Sequence, residues 1–282
     1  MRPILFRIPF GEGALAVGSY SFFYLLAWVI GPAVGAWFAG RRGLPVRRVL
    51  IAYFGALIAG VVGARALDRF VAGEFYSQDP SRIWSLNFQG FSLYGGLIVA
   101  CVAAVILARL VRLGVWRLAD SAVPGIVTGI VLMRIGCFLR GCCFGTVTSM
   151  PWGVTYPAGS PAWVQHLQEG QTGFVAALTG SVQPVHPTQF YEMLAAVALG
   201  ALALPLLRRN LPDGVAFLTF AGGFTAVRLA NGFLRARQDV ITAPEWFYPA
   251  LYAAAIVVLG GLIVWRVAQE RSSRRDTAAI YP

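Results

Sequence analysis

Residues 133–145, MRIGCFLRGCCFG, end a long apolar run with two arginines and three cysteines. Arg134 follows VPGIVTGIVLM, which places its guanidinium at the edge of hydrocarbon. An arginine there costs roughly 2.5–3.5 kcal/mol on insertion scales, so it calls for an anionic partner or a wet cavity. The alternative is that Arg134 and Arg140 reach out to lipid headgroups as helix-end anchors. Other cations occupy comparable places: Arg65 near the end of the run 48–70, and Arg228 about one turn inside the end of 213–232. Tyr20, Tyr94, His186 and Glu192 stand at the ends of three further runs. Three embedded cations at one depth point to an anionic ligand. A guanidinium fork holds phosphate bidentately and keeps its charge in apolar surroundings, so a phospholipid headgroup fits better than a transported metal or proton. A transporter would carry its polar groups at mid-membrane on broken helices, and no acid stands at the middle of any run.

Cys137, Cys142 and Cys143 admit three readings. One pair can form a disulfide in an oxidising compartment. Three thiolates and a histidine can hold zinc, although C-x4-C-C is not a usual zinc spacing. They can also be small buried apolar residues. We expect a disulfide for one pair, with the buried-thiol reading as its alternative, and no metal or other cofactor.

These residues need elements to carry them, and the composition says which. Of 282 residues 57% are hydrophobic and 12% charged, the mark of an integral membrane protein. The net charge of +11 comes from 23 arginines and no lysine, much of it between apolar runs, and reads as membrane topology rather than nucleic-acid binding. MRPILFRIPFGEG is too short and interrupted for a signal-peptide core. Runs long enough to cross a ~30 Å core recur at 17–40, 48–70, 91–113, 118–138, 187–207, 213–232 and 246–266. Arginines 41, 42, 47 and 48, then 109, 112 and 117, 208 and 209, and 266, 271, 274 and 275 cluster after alternate runs, sides that are cytoplasmic by the positive-inside rule. The expectation is an all-α integral membrane protein: a seven-transmembrane-helix bundle, N-terminus outside and C-terminus cytoplasmic. Residues 1–266 form one polytopic membrane domain with a long outer loop at 139–186, followed by a polar, irregular cytoplasmic tail at 267–282. Gly31 and Gly35, or Gly125 and Gly129, at four-residue spacing would let helices approach closely. Trp152, Trp163, Trp246 and Tyr248 suit an outer aromatic belt, and His166 in WVQHLQEGQ reads as solvated.

Several stretches together resemble the prolipoprotein diacylglyceryl transferases of bacterial inner membranes. YSFFYLL (20–26) looks like the family's first-helix Y-x-x-x-Y, and GAR (63–65) and FSLYGG (91–96) follow, the last where the family has SFHGG. RIGCFLRGCCFG (134–145) is similar to R-x-G-N-F-x-N-G-E-x-x-G, HPTQFYE (186–192) to HP-[ST]-Q-x-Y-E, and FTAVRLANGFLR (224–235) to Y-x-x-x-R-x-x-x-E-F-x-R. The motifs keep the family's order over nearly the whole chain. The resemblance implies transfer of the diacylglyceryl group of phosphatidylglycerol to the lipobox cysteine of a preprolipoprotein, at the outer face of a multi-pass inner-membrane protein. Arg134 and Arg228 match the family's essential arginines and are expected to clamp phosphate. Arg65, Tyr20, Arg140, Gly145, Glu192 and Arg235 are expected to complete the substrate site. The family's base, a histidine, is Tyr94 here; Cys137 and Arg140 replace two asparagines, Cys142 a glutamate, Gly232 a glutamate and Phe224 a tyrosine. A phenol with a pKa near 10 is a poor base at neutral pH, which leaves His186 as the substitute, or as a structural group at a helix start. Glu192 is either catalytic or the carboxylate that pairs an arginine. Two functions remain open from sequence: an active transferase, and a family member that binds anionic headgroups at the outer leaflet without turnover.

Overall fold

The structure is a computed structural model, and it describes residues 3–10, 13–71, 93–170, 183–209, 211–236, 244 and 246–280. Between the expected runs, residues 72–90, part of the outer loop at 139–186 (171–182) and residues 237–243 fall outside the described residues. One departure from the all-helical expectation comes first. Strands β1 (Ile4–Phe10) and β2 (Gly13–Gly18) form an antiparallel hairpin before the first span. Its alternation of Ile4, Phe6 and Ile8 with other residues is a period of two, and this stretch is too short to be counted among the apolar runs.

Helices follow: α1 (Ser19–Arg41), α2 (Val46–Val71), α3 (Leu93–Leu110), α4 (Val115–Arg140), α5 (Pro161–Gln168), α6 (Thr188–Ala203), α7 (Val215–Leu234) and α8 (Phe247–Ile280). A 3-10 turn, Leu204–Arg208, extends α6. Among the described residues six helices are long and apolar enough to cross a membrane, and α3 supplies a shorter apolar helix, Gly95–Leu110. The chain is therefore a helical, multi-pass membrane protein. Within α8 none of the apolar window is buried by protein, and Val257, Val258 and Val264 are 73%, 60% and 69% exposed. Such surface is stable only against lipid. The polar tail, expected to be irregular, instead continues α8 as far as Ile280.

The chain forms two compact units, Trp28–Ile126 and a second one of Met1–Ala27 with Val127–Pro282. In the first, α2 and α3 cross where Gly60 and Gly63 meet Gly95 and Gly96. A Cβ on Gly95 would sit 2.6 Å from the Gly63 carbonyl oxygen, and one on Gly63 2.7 Å from that of Gly95, so side chains at either position would force the helices apart. The glycines in GAR and YGG are thus a packing seam. A Cβ on Gly125 would likewise run into the Gly31 carbonyl oxygen and lie 3.0 Å from the Gly35 nitrogen, a close approach that their spacing predicts, whereas nothing lies within 4 Å of a Cβ on Gly129. At one end of this unit Arg42 donates to the Arg117 carbonyl (3.2 Å) and Ser121 Oγ (3.0 Å), and Arg117 returns a bond to the Arg42 carbonyl (2.5 Å). Arginines read as topology markers also tie helix ends together.

In the second unit the loop after α4 folds on a small core of its own, Phe144, Tyr156, Ala162 and Val185, with Trp163 packed against it. Trp163 therefore serves the loop's interior rather than an aromatic belt. His166, expected to be solvated, is 3% exposed and stands edge-on to Phe144 at 5.9 Å. Ser160 caps α5 by accepting from the Trp163 N–H, and Pro161 takes the first turn, where a missing N–H costs nothing.

Candidate active site

Three helices of the second unit bring the principal polar side chains together. Arg134 lies on the last turns of α4, Glu192 on the second turn of α6, and Arg228 and Asn231 three residues apart on one face of α7. Glu192 is 2% exposed and pairs with both arginines: Arg134 Nη2 stands 2.5 Å from Oε2 as an ion pair, and Arg228 Nη1 donates to Oε1 at 2.6 Å. Asn231 Nδ2 adds a second hydrogen bond to Oε1 at 2.9 Å, and Arg228 Nη2 donates to the Tyr252 hydroxyl on α8 at 3.3 Å. Buried charges persist only when paired and hydrogen-bonded; here both oxygens are ion-paired and Oε1 accepts two hydrogen bonds. The cations are not balanced. Two guanidiniums against one carboxylate leave one net positive charge, and the buried Arg134 Nε has no hydrogen-bond partner among the described residues. An anion of charge −1 completes such a group.

The turn after α4 is set by its backbone. Gly141 at φ +78° accepts the left-handed conformation that ends a helix. Its N–H reaches the Phe138 carbonyl at 3.1 Å, while the Cys142 N–H reaches that of Cys137 at 3.1 Å. This pair of bonds is a Schellman motif, whose geometry places the side chains at Cys137 and Cys142 against each other. Cys143 is left-handed too, at φ +62°, and turns its thiol back into the same cluster. All three sulfurs lie within 4.8 Å of one another. The expected disulfide is not formed: all four cysteines are free. Arg134 Nη1 is 3.8 Å from Cys137 Sγ, so the cluster adjoins the arginine site. The Cys143 thiol is held well below its ordinary value by hydrogen bonds from Cys137 and Cys142, with Arg235 and Arg134 adding to this and burial opposing it.

HPTQFYE fastens this turn from the other side. Thr188 Oγ1 donates to the Cys143 carbonyl at 2.6 Å, and Gln189 Nε2 to the Cys142 carbonyl at 2.7 Å. Gly145 and His186 pair through the backbone, with Gly145 N–H to His186 O at 2.8 Å. A Cβ on Gly145 would lie 2.5 Å from that of His186 and 2.6 Å from the Leu234 carbonyl oxygen, so only glycine lets these strands of chain meet. An isolated bridge joins Gly145 to Arg235 just past α7. The signature's closing glycine and the α7 motif's closing arginine are thus neighbours.

His186 has a different setting from the arginines. Its Nδ1 lies 3.1 Å from the Tyr191 hydroxyl, which also accepts from Trp152 Nε1 at 2.8 Å. This holds the ring through Nδ1. Arg140, exposed at the end of α4, lies over the Tyr20 ring at 5.2 Å to the centroid, and Tyr20 stacks on Tyr24. Arg65 stands on α2 in the first unit, half-buried. Tyr94 falls in the first turn of α3, with its side chain outside the described residues. Asn231, Thr188, Gln189 and Tyr252 were not singled out from sequence. For Asn231 a signal existed, since an amide one turn from Arg228 in an apolar run has to satisfy its polar atoms inside the protein.

Comparisons with known proteins bear directly on this arrangement. A sequence profile described as prolipoprotein diacylglyceryl transferase matches residues 3–268. The chain is 30% identical over 236 residues to the phosphatidylglycerol–prolipoprotein diacylglyceryl transferase of Dehalococcoides mccartyi strain ATCC BAA-2266, covering 82% of this chain and 83% of that protein. It is 30% identical over 237 residues to the protein of the same name from Geobacter sulfurreducens, covering 83% and 82%. A second transferase of Clostridium perfringens is 25% identical over 274 residues, 96% of this chain and 98% of that one. Arginines converging on a carboxylate, within a match that runs nearly end to end, place this chain in the prolipoprotein diacylglyceryl transferase family.

Proposed function

We propose that the chain moves the diacylglyceryl group of phosphatidylglycerol onto the lipobox cysteine thiol of a preprolipoprotein, with the phosphodiester held by Arg134 and Arg228. The observation that carries this reading is the uncompensated positive charge where two guanidiniums share Glu192. A phosphodiester of charge −1 neutralises it. In the reaction the thiolate sulfur bonds to the terminal glyceryl carbon, the carbon–oxygen bond to phosphate breaks, and glycerol phosphate leaves carrying the electron pair. Charge grows on the phosphate oxygen as that bond breaks, and donors already fixed in a site with little water stabilise it without reorganising. Glu192 holds both forks in place. The thiol proton goes to Tyr94 or to His186 Nε2, and nearby cations lower the thiol's own pKa in the same direction.

The topology that suits this chemistry is a seven-span bundle in the bacterial inner membrane, N-terminus out and C-terminus in. The α3 helix supplies the seventh span, and the α4 end with its loop lies at the outer face where acceptors arrive. Arginines at 41–48 and 266–275 support this orientation.

The test uses proteoliposomes containing phosphatidylglycerol and a lipobox peptide, with lipid binding measured separately. Arg134→Ala or Arg228→Ala should weaken anionic-lipid binding more than about tenfold, or 1.4 kcal/mol, and abolish transfer. Tyr94→Phe should stop turnover with binding intact if the phenol is the base, and His186→Gln asks the same of the imidazole. Tyr94→His should raise the rate at pH 7, because an imidazole with pKa near 6.5 matches that pH better than a phenol. If neither the native chain nor Tyr94→His modifies any lipobox peptide while both bind phosphatidylglycerol, the protein is a headgroup-binding member of the family without turnover.

A further inference from the structure

The three thiols beside Arg134 have no part in the reaction just described. Their arrangement has chemistry of its own. Cys137, Cys142 and Cys143 place three sulfurs within 4.8 Å of one another, and among the described residues no histidine or carboxylate joins them as a fourth donor. Thiolates bonded at about 2.3 Å to one central ion stand about 4 Å apart in a trigonal plane. At no more than 4.8 Å apart, no pair has to close by more than about an ångström to reach that spacing. A disulfide, with its sulfurs at about 2.05 Å, would use two of the thiols and leave the third alone. The Schellman turn fixes two of the sulfurs from the backbone, and Thr188 and Gln189 hold the carbonyls of the second and third. Such a site is built in advance, which lowers the ordering cost of ligation.

We propose that Cys137, Cys142 and Cys143 form a three-thiolate site for a soft monovalent cation of the copper(I) class. Softness follows from an all-sulfur donor set, and low charge and coordination number from three donors without a fourth. Each thiol gives up its proton on binding. Three thiolates around a +1 ion carry a charge of −2, and Arg134 and Arg235 lie on the side where that charge is stabilised. Zinc, which takes four ligands in structural sites, is less well served. The site stands independently of whether the chain transfers lipid.

The experiment titrates full-length, reduced protein in nanodiscs with copper(I) under anaerobic conditions against a chromogenic copper(I) chelator, with zinc in parallel. One equivalent of copper should be retained, with three sulfur neighbours at about 2.3 Å by X-ray absorption. Cys137→Ser, Cys142→Ser and Cys143→Ser should each lose it, while Cys101→Ser in the first unit should not. Arg235→Gln, which leaves all three sulfurs in place, should weaken binding by about 10–100-fold. Thermal unfolding of each variant in the same nanodiscs shows that it is folded. Copper bound equally by the triple serine variant, no copper retained against the chelator, or four-coordinate zinc preferred over copper would each overturn the proposal.

Discussion

Glu192 joins Arg134 on α4 to Arg228 on α7. It is the only acid that the structure brings to Arg134 and Arg228 among the described residues, so removing its charge leaves two guanidiniums facing each other. Breaking a buried pair in this way costs about 3–5 kcal/mol, and we expect Glu192→Gln to lose stability on that scale. The loss should shrink in phosphatidylglycerol and persist in phosphatidylcholine micelles, because only the anionic lipid brings a charge to replace the carboxylate. Thermal unfolding in the two lipids measures this. The pairing of Glu192 with an arginine was one of two readings open from sequence. Arg134 and Arg228 were legible because an arginine in an apolar run stands out against hydrocarbon. Thr188 and Gln189 were not, because polar residues at a helix start are ordinary and their targets, two carbonyls some 45 residues earlier in the chain, become near only on folding.

At the scale of elements, the turn after α4 and the loop that covers it decide where the site's groups fall. Gly141 is at φ +78°, and a Cβ there would lie 2.8 Å from the Tyr156 ring. Gly141→Ala should therefore cost more than the ~1–2 kcal/mol of left-handed backbone alone, and should scatter the thiols, read as slower, heterogeneous alkylation. Gly232 is the opposite case. Nothing lies within 4 Å of a Cβ there, so Gly232→Glu, which restores the family's residue, should be tolerated without loss of stability. The loop carries a pH dependence through His166, whose burial holds its imidazole below the ordinary value of 6.5, with Glu169 opposing. The unfolded loop takes up the proton more readily than the folded one, so stability is full above about pH 6.5 and falls as the pH drops below it. His166→Phe should flatten that slope, measured by hydrogen exchange in residues 141–170 between pH 5 and 7. The burial of His166 was unreadable in advance, since WVQHLQEGQ is polar by composition and its cover comes from Phe144, distant in sequence.

For the whole molecule, hydropathy made six spanning helices and one shorter apolar helix legible among the described residues, because the membrane imposes a length on every helix that crosses it. The hairpin at Ile4–Gly18 escaped because hydropathy windows average over its alternation. Contacts between helices escaped for another reason: glycine is common in the chain, and spacing alone does not separate Gly125, which meets α1, from Gly129, which meets nothing. One feature of α8 reaches further. Its apolar part, Phe247–Trp265, is about 28 Å long and matches a hydrocarbon core of about 30 Å. A thinner or thicker bilayer mismatches it, which tilt or local deformation of the bilayer relieves, so the helix responds to acyl-chain length. Tyr252, on the second turn of this helix, receives the Arg228 bond. Acyl-chain length thereby gains a mechanical route to the arginine, so activity in thin and thick bilayers should differ in the native protein and converge in Tyr252→Phe.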